Sequence, residues 1–225
     1  MDRNLGSTWL ATDPEVERTD LGRGAWLDVV RGLVPDADRV HDDLVGSVGW
    51  QQGRVYRYEK RVDEPRLGGF QRGDDRHPAL VAVQDWLVRR YRIRFDGYAL
   101  ARYRHAADSQ AFHRDREMRW LEETLIGVLS LGATRPWLMT PLGSDRYAVP
   151  DDVDGASAEV IDLRPAGGDL LVMGGRCQAT WLHAVPKVHG GAAVGDRISV
   201  QWRWTSKRGR PDTNPGYRAP RHYSR

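Results

Sequence analysis

His113 and Asp115 flank a single arginine in the segment Phe112-His113-Arg114-Asp115-Arg116-Glu117, and His183 lies far downstream. In an extended strand alternate side chains share a face, so the pair would point the same way, about 7 Å apart along the backbone, and could clasp one cation from one side. A third ligand must then come from elsewhere in the fold. Two histidines and one carboxylate leave half of an octahedral metal open, which suits a ferrous centre that must take up a chelating co-substrate and dioxygen together. A closed four-ligand zinc site would leave no such room. Alone, His-X-Asp is a weak signal and more often describes a charged surface strand in a chain rich in Arg and Asp.

The downstream context changes that balance. His183 follows Gly167-Gly168-Asp169-Leu170-Leu171-Val172-Met173-Gly174-Gly175, an apolar strand that ends in a glycine pair before the chain returns through Trp181-Leu182-His183-Ala184-Val185. Beyond it, Arg197, Ser199, Gln201 and Arg203 alternate with Ile198, Val200, Trp202 and Trp204, so one strand face is polar and the other is core. A buried polar face demands a partner, and an anionic dicarboxylate beside the metal would supply one.

These residues, with Ala101-Arg102-Tyr103, resemble the AlkB-like branch of the iron(II)- and 2-oxoglutarate-dependent dioxygenases, from about Gly97 to the C-terminus. The resemblance implies that His113, Asp115 and His183 hold Fe(II) and that Arg197 pairs the distal carboxylate of 2-oxoglutarate. It also implies a hydrogen bond from Tyr103 to the co-substrate, with Arg203 near its oxo-acid end. Two positions depart from the branch's repair enzymes, which usually carry asparagine where this chain has Ala101 and Ser199. Arg197-X-Ser199 instead resembles the wider superfamily's motif, in which the serine hydroxyl supports the same carboxylate.

What the resemblance implies about activity is oxidation of a C–H bond with O2 and 2-oxoglutarate, yielding succinate and CO2. On an N-methyl group the product loses formaldehyde, the reaction that repairs alkylated bases met in a single strand or flipped out of a duplex. Glu117 stands where the nucleic-acid branch often has an acidic residue near the base's exocyclic amine; it could equally pair a surface arginine. Arg54, Arg57, Lys60 and Arg61 alternate with Trp50, Tyr56 and Tyr58, a mixture that suits a groove for a phosphate backbone and an unstacked base. We therefore take Trp50, Arg54, Tyr56, Arg57, Tyr58 and Glu117 as candidate substrate-binding residues, although hairpin aromatics also serve as core. The alternative is a hydroxylase or demethylase of a protein side chain or small molecule with the same chemistry; a catalytically silent jelly-roll binding protein is a third reading.

Composition bounds the remainder. The chain of 225 residues is 40% hydrophobic with nine tryptophans, enough for a substantial folded core. The mean hydropathy of −0.61 and the lack of an apolar run near the roughly 20 residues of a transmembrane helix argue against a membrane protein. The N-terminus Met1-Asp2-Arg3-Asn4 has no signal-peptide pattern, so a cytoplasmic location is expected. Single Cys177 cannot form an internal disulfide, and we read it as packing. Net charge is only +3, yet the pI is about 9.2 and Arg203, Lys207, Arg208, Arg210, Arg218, Arg221 and Arg225 stand against Asp212 alone in the tail. That tail could be a solvated face or a polyanion contact.

One domain is expected over 1–225: an N-terminal extension with substrate lid and supporting helix to residue 96, a core over 97–204, and a basic tail. The fold class is mainly β with supporting helices around a double-stranded β-helix, or jelly roll. Gly24 to Val34 reads as a short helix ended by Pro35, and Gly53 to Val62 as a hairpin. Leu80, Val83, Leu87 and Tyr91 recur at helical spacing from Pro78 to Arg92. Eight short strands follow, Tyr98 to Tyr103, Ala111 to Asp115, Leu125 to Leu131, Pro136 to Met139, Val160 to Leu163, Asp169 to Met173, Trp181 to Val185 and Arg197 to Trp204. The other histidines, His41, His77, His105, His189 and His222, read as surface or structural.

Overall fold

Period-two alternation dominates the second half of the chain, and the computed structural model turns it into two facing antiparallel sheets. The structure describes residues 8–57, 59–115, 118–143, 160–189 and 194–211. Strands β1 (Glu17–Gly22) and β2 (Ala25–Val30) come first, then helix α1 (Ala37–Ser47) and the hairpin β3 (Gln51–Arg57) and β4 (Lys60–Gly69). Helix α2 (Pro78–Tyr91) leads to β5 (Tyr98–Tyr103), β6 (Gln110–His113), β7 (Thr124–Gly132), β8 (Leu138–Pro141) and β9 (Ile161–Asp162). The chain continues through β10 (Leu170–Gly175), the single turn α3 (Cys177–Thr180), β11 (Trp181–Val185) and β12 (Arg197–Thr205).

The large sheet runs β1-β2-β10-β7-β12-β5-β4-β3 and the small one β6-β11-β8-β9. Alternation assigns each strand of the large sheet two duties. Ile198, Val200, Trp202, Leu170, Val172 and Leu129 face α1 and α2 in an outer core. Ala101, Tyr103, Ile126, Val128, Leu171 and Met173 face the small sheet in an inner core with Met139, Trp181 and Val185. The double-sheet jelly roll expected from the strand pattern is thus present, and the active-site candidates lie between its layers.

Helix α2 starts at Pro78, whose missing N–H costs nothing at a helix start, and His77 caps it through Ala79 N–H donating to its Nδ1 at 3.2 Å. Leu80, Val83 and Leu87 are buried as their spacing requires. The segment expected to be helical at Gly24 to Val34 is instead strand β2. A short apolar run does not distinguish a buried helix from a strand paired on both edges, and β2 lies between β1 and β10. Helix α1 was not foreseen; Ala37, Val40 and Leu44 form its buried stripe beyond Pro35.

Gly174 has a specific reason to lack a side chain. The Trp26 ring crosses directly over it, and a Cβ there would fall 1.9 Å from the ring. Trp26 is itself held between Arg18, 4.0 Å above its ring, and Tyr91, stacked at 5.8 Å. We expect Gly174→Ala to lower stability by about 1–3 kcal/mol through overpacking, measured by the urea midpoint. An unchanged midpoint would mean that the Trp26 ring can swing away freely.

Candidate active site

Strands β6 and β11 pair so that His113 and His183 stand directly opposite one another, with ring centroids 4.2 Å apart. Facing residues of an antiparallel pair share a face, so both imidazoles enter the space between the sheets. Strand β6 stops at His113, so the pleat does not carry Asp115 to this face as the sequence suggested. A tertiary contact does so instead: the Asp115 N–H donates to Gln178 Oε1 at 2.8 Å, on the α3 turn. One atom each from His113, Asp115 and His183 then lies within 4.8 Å of the others, a cluster that could hold a metal ion.

The surroundings orient each group. Ala111 O lies 2.9 Å from His113 Nδ1, so a proton on Nδ1 donates to it and leaves the Nε2 lone pair facing the cluster. His183 packs face to face with Trp137, centroids 5.5 Å apart. Asp115 Oδ2 accepts from Arg203 Nε at 2.8 Å, while Oδ1 faces His113 Nε2 at 3.6 Å. Burial would raise the Asp115 carboxyl pKa, but the Arg203 guanidinium, joined in acid by His183 and His113 once they are protonated, outweighs it and holds the group well below the ordinary range. Burial pushes His183 down to about 3, helped by its neighbour His113 and opposed by Asp115; burial also lowers His113. At neutral pH the cluster is therefore two neutral imidazoles and one carboxylate, the protonation states a divalent cation requires.

The other half of the polar face lies deeper. Arg197 is fully buried, and its Nη2 donates to Ser130 Oγ at 2.8 Å. Its Nε and Nη1 and the Oγ of Ser199 are buried with no partner among the described residues. Burial pushes the Arg197 guanidinium down to about 10, opposed by Tyr103. Leaving such donors bare is costly, and a carboxylate is the acceptor that satisfies a guanidinium edge and a hydroxyl together. Tyr103 is the cross-strand partner of Arg197, and Ala101 of Ser199. The two departures from the repair-enzyme pattern thus face each other and constitute one altered spot. These orphaned atoms fit 2-oxoglutarate, and the ligand set fits ferrous iron.

A cavity of about 400 Å³ opens where Arg203 emerges, lined by Phe70, Arg72, Asp96, Gly97, Tyr98 and Gln201 among others. Phe70 is 54% exposed, with the Arg72 guanidinium 4.8 Å from its ring. The described candidate substrate residues do not line it. Trp50 packs against the outer core beneath Arg102. Arg54 pairs with Asp63 at 2.8 Å on the exposed hairpin, and Tyr56 is 72% exposed. Arg57 closes β3 opposite Lys60, while Tyr58 and Glu117 lie outside the described residues.

Sequence reasoning also passed over residues that shape the site. Ser130 interrupts the otherwise apolar Leu125 to Leu131, and that interruption was the available signal. Arg135 is 1% exposed and donates to the carbonyls of His105, Asp108 and Pro186 at 3.0, 2.7 and 3.4 Å. It ties the loop before β6 to the exit of β11, the two strands that carry the histidines, and lies 5.5 Å from the Tyr103 ring. Cys177 is buried packing, its thiol pushed up to about 12 by burial.

Two facing antiparallel sheets with a His/Asp/His cluster between them, and a buried arginine with bare donors beside it, define a metal-dependent oxygenase of the jelly-roll class. Residues 34–203 match the family model of the 2OG-Fe(II) oxygenase superfamily, and the chain belongs to that family, on its AlkB-like branch. It is 27% identical to alpha-ketoglutarate-dependent dioxygenase alkB homolog 3 of Bos taurus, covering 68% of this chain and 56% of the relative. The human protein of that name is 25% identical, with 79% and 65% covered, so the chain spans less than two thirds of these relatives. DNA oxidative demethylase ALKBH2 of Arabidopsis thaliana is 29% identical, with 84% of this chain and 69% of the relative covered. A Trichoplax adhaerens prolyl hydroxylase, solved with a hypoxia inducible factor peptide, shares the fold at a TM-score of 0.50 and 14% identity, over 79% of this chain and 83% of its own. Among the described residues no helix is long and apolar enough to cross a membrane.

Proposed function

We propose that this protein oxidatively demethylates alkylated nucleobases in DNA or RNA, with Fe(II), 2-oxoglutarate and O2, releasing formaldehyde, succinate and CO2. The observation that carries the reading is one continuous polar face on β12. Arg197 and Ser199 present bare donors at one end, and Arg203 joins Asp115 to an open cavity at the other. The name of the Arabidopsis thaliana relative, DNA oxidative demethylase ALKBH2, supports a nucleic-acid substrate.

When bound, the iron and co-substrate supply the oxidation of a C–H bond by dioxygen; the protein's part is placement. His113, Asp115 and His183 hold the metal from one side. Arg197 and Ser199 bind the distal carboxylate, with Tyr103 completing the pocket wall. Arg203 keeps Asp115 ionised and turned toward the histidines. Phe70 offers a planar ring at the mouth on which an unstacked base can lie, the usual way such sites hold a base outside the helix. Hydroxylation of an N-methyl group gives N–CH2OH, whose C–N bond breaks to leave N–H on the base and free formaldehyde.

The test is an assay for formaldehyde and succinate across oligonucleotides carrying 1-methyladenine or 3-methylcytosine, in DNA and in RNA, with methylated peptides alongside. We expect equimolar formaldehyde and succinate from at least one nucleic acid. Release from peptides alone would replace this reading with the protein hydroxylase or demethylase.

A further inference from the structure

We propose that Gln201 and Gln71 select the substrate base: their amide N–H groups read a carbonyl oxygen beside the methylated nitrogen, so that 3-methylcytosine is preferred to 1-methyladenine. This deepens the nucleobase reading above and rests on it.

Both side chains line the cavity, and in each the amide is oriented by what meets its oxygen. Arg203 Nη2 lies 2.5 Å from the Gln201 amide, and a guanidinium has hydrogens to give but no acceptor lone pair. The atom it meets is therefore Oε1. For Gln71 the deciding partner is the His77 backbone N–H, which can only donate and does so to Oε1 at 3.2 Å. Tyr98 Oη donates to the same oxygen at 3.0 Å. With both oxygens engaged, the free polar end of each amide is its NH2 group. Among the described residues neither nitrogen has a hydrogen-bond partner. Two pre-oriented donors thus share one cavity, and a ligand that fills it has to bring an acceptor. Asp96, which is exposed, is the one carboxylate among the lining residues.

Gln201 also stands close to the reacting position. Arg203, which it holds, donates from Nε to Asp115 Oδ2 at 2.8 Å, so the amide is two contacts from a metal-ligand oxygen. Its cross-strand partner is Ala99, too small to screen it from the space between the sheets. A group that reads the atom next to an N-methyl nitrogen needs this position. In 3-methylcytosine the C2 carbonyl is bonded to the N3 that carries the methyl group. In 1-methyladenine the corresponding atom is a C2–H, which accepts nothing. Both bases are cationic at neutral pH, so charge does not separate them, whereas hydrogen bonding does. A site that bonds a polar group rejects the analogue lacking it, because its own donor is then left unpaired.

The experiment measures formaldehyde release by the full-length protein from single-stranded oligonucleotides that differ only in carrying one 3-methylcytosine or one 1-methyladenine. We expect kcat/KM to favour 3-methylcytosine by at least about tenfold, and Gln201→Glu to lower that ratio by about tenfold. Glutamate keeps the side chain's shape and an acceptor for Arg203 but puts an oxygen where the N–H was. Gln201→Leu, with neither donor nor acceptor, should lower the ratio by about threefold. Any loss of Arg203 or metal placement acts on both lesions and cancels in the ratio. An equal loss on both lesions, with the ratio at its wild-type value, would overturn the proposal and leave the demethylase reading standing. A raised KM for 2-oxoglutarate at an unchanged ratio would also overturn it, by assigning the amide to the co-substrate. Formaldehyde from no methylated base at all would instead overturn the demethylase reading, and this proposal with it.

Discussion

Replacing His183 by alanine is expected to lower succinate formation by more than about 100-fold while leaving a folded protein. A residue that merely orients a metal ligand typically changes affinity or activity 10–100-fold, and loss of a ligand should exceed that. Direct binding of Co(II) or Mn(II), followed by absorbance or electron paramagnetic resonance, should fall from one ion per chain with the same loss. His113→Ala should behave alike, since both rings face one space across a single strand pair. At the third ligand, Asp115→Ala and Asp115→Asn should both abolish turnover yet differ in stability. The alanine variant removes the carboxylate that accepts from Arg203 Nε, a charged hydrogen bond of the kind that contributes about 1.5–3 kcal/mol, whereas asparagine keeps an acceptor oxygen in place. A folded variant that still consumes 2-oxoglutarate normally would remove that residue from the metal centre.

The second large effect concerns Arg197. Its Nε and Nη1 are buried without partners among the described residues, and burial already disfavours its charge. A bound carboxylate offsets both costs, through a bidentate fork that a lysine ammonium reproduces poorly. Arg197→Lys should therefore weaken 2-oxoglutarate binding by about 1–3 kcal/mol, seen as a raised KM for the co-substrate with the metal still bound. Thermal stabilisation by 2-oxoglutarate offers an independent measure. A co-substrate at 100 times its dissociation constant adds about 2.7 kcal/mol to a protein that binds it only when folded, and at equal concentration the variant should lose about 1 to 2.4 kcal/mol of that. Ser199→Ala should act in the same direction more weakly, because a neutral hydroxyl contributes less than a guanidinium. An unchanged dependence on 2-oxoglutarate would mean that another cation holds the carboxylate, with Arg203 the first to examine.

Much of this arrangement is legible in residue order, because a strand's side chains alternate by rule. The polar face of Arg197, Ser199, Gln201 and Arg203 and the apolar face of Ile198, Val200 and Trp202 follow from period two, and the structure lays one toward the site and the other into the outer core. The helix from Pro78 and the strands Tyr98–Tyr103 and Trp181–Val185 lie where their patterns put them. Here local chemistry and the global fold agree.

Where tertiary contacts decide, the pattern is silent. Ala25–Val30 became a strand because β1 and β10 pair its two edges, information no stretch of six residues contains. Asp115 reaches the histidines because Gln178, 63 residues away, captures its backbone N–H after β6 has ended. Pairing puts Asp63 beside Arg54 on the basic hairpin, and a cavity opens at Phe70 and Gly97, neither of which residue order alone shows. The amino-acid sequence by itself determined which residue types could hold a metal and a dicarboxylate, and on which strand face. Only the folded chain decided which of them meet, since distance across a sheet depends on register and on contacts between residues far apart in the chain.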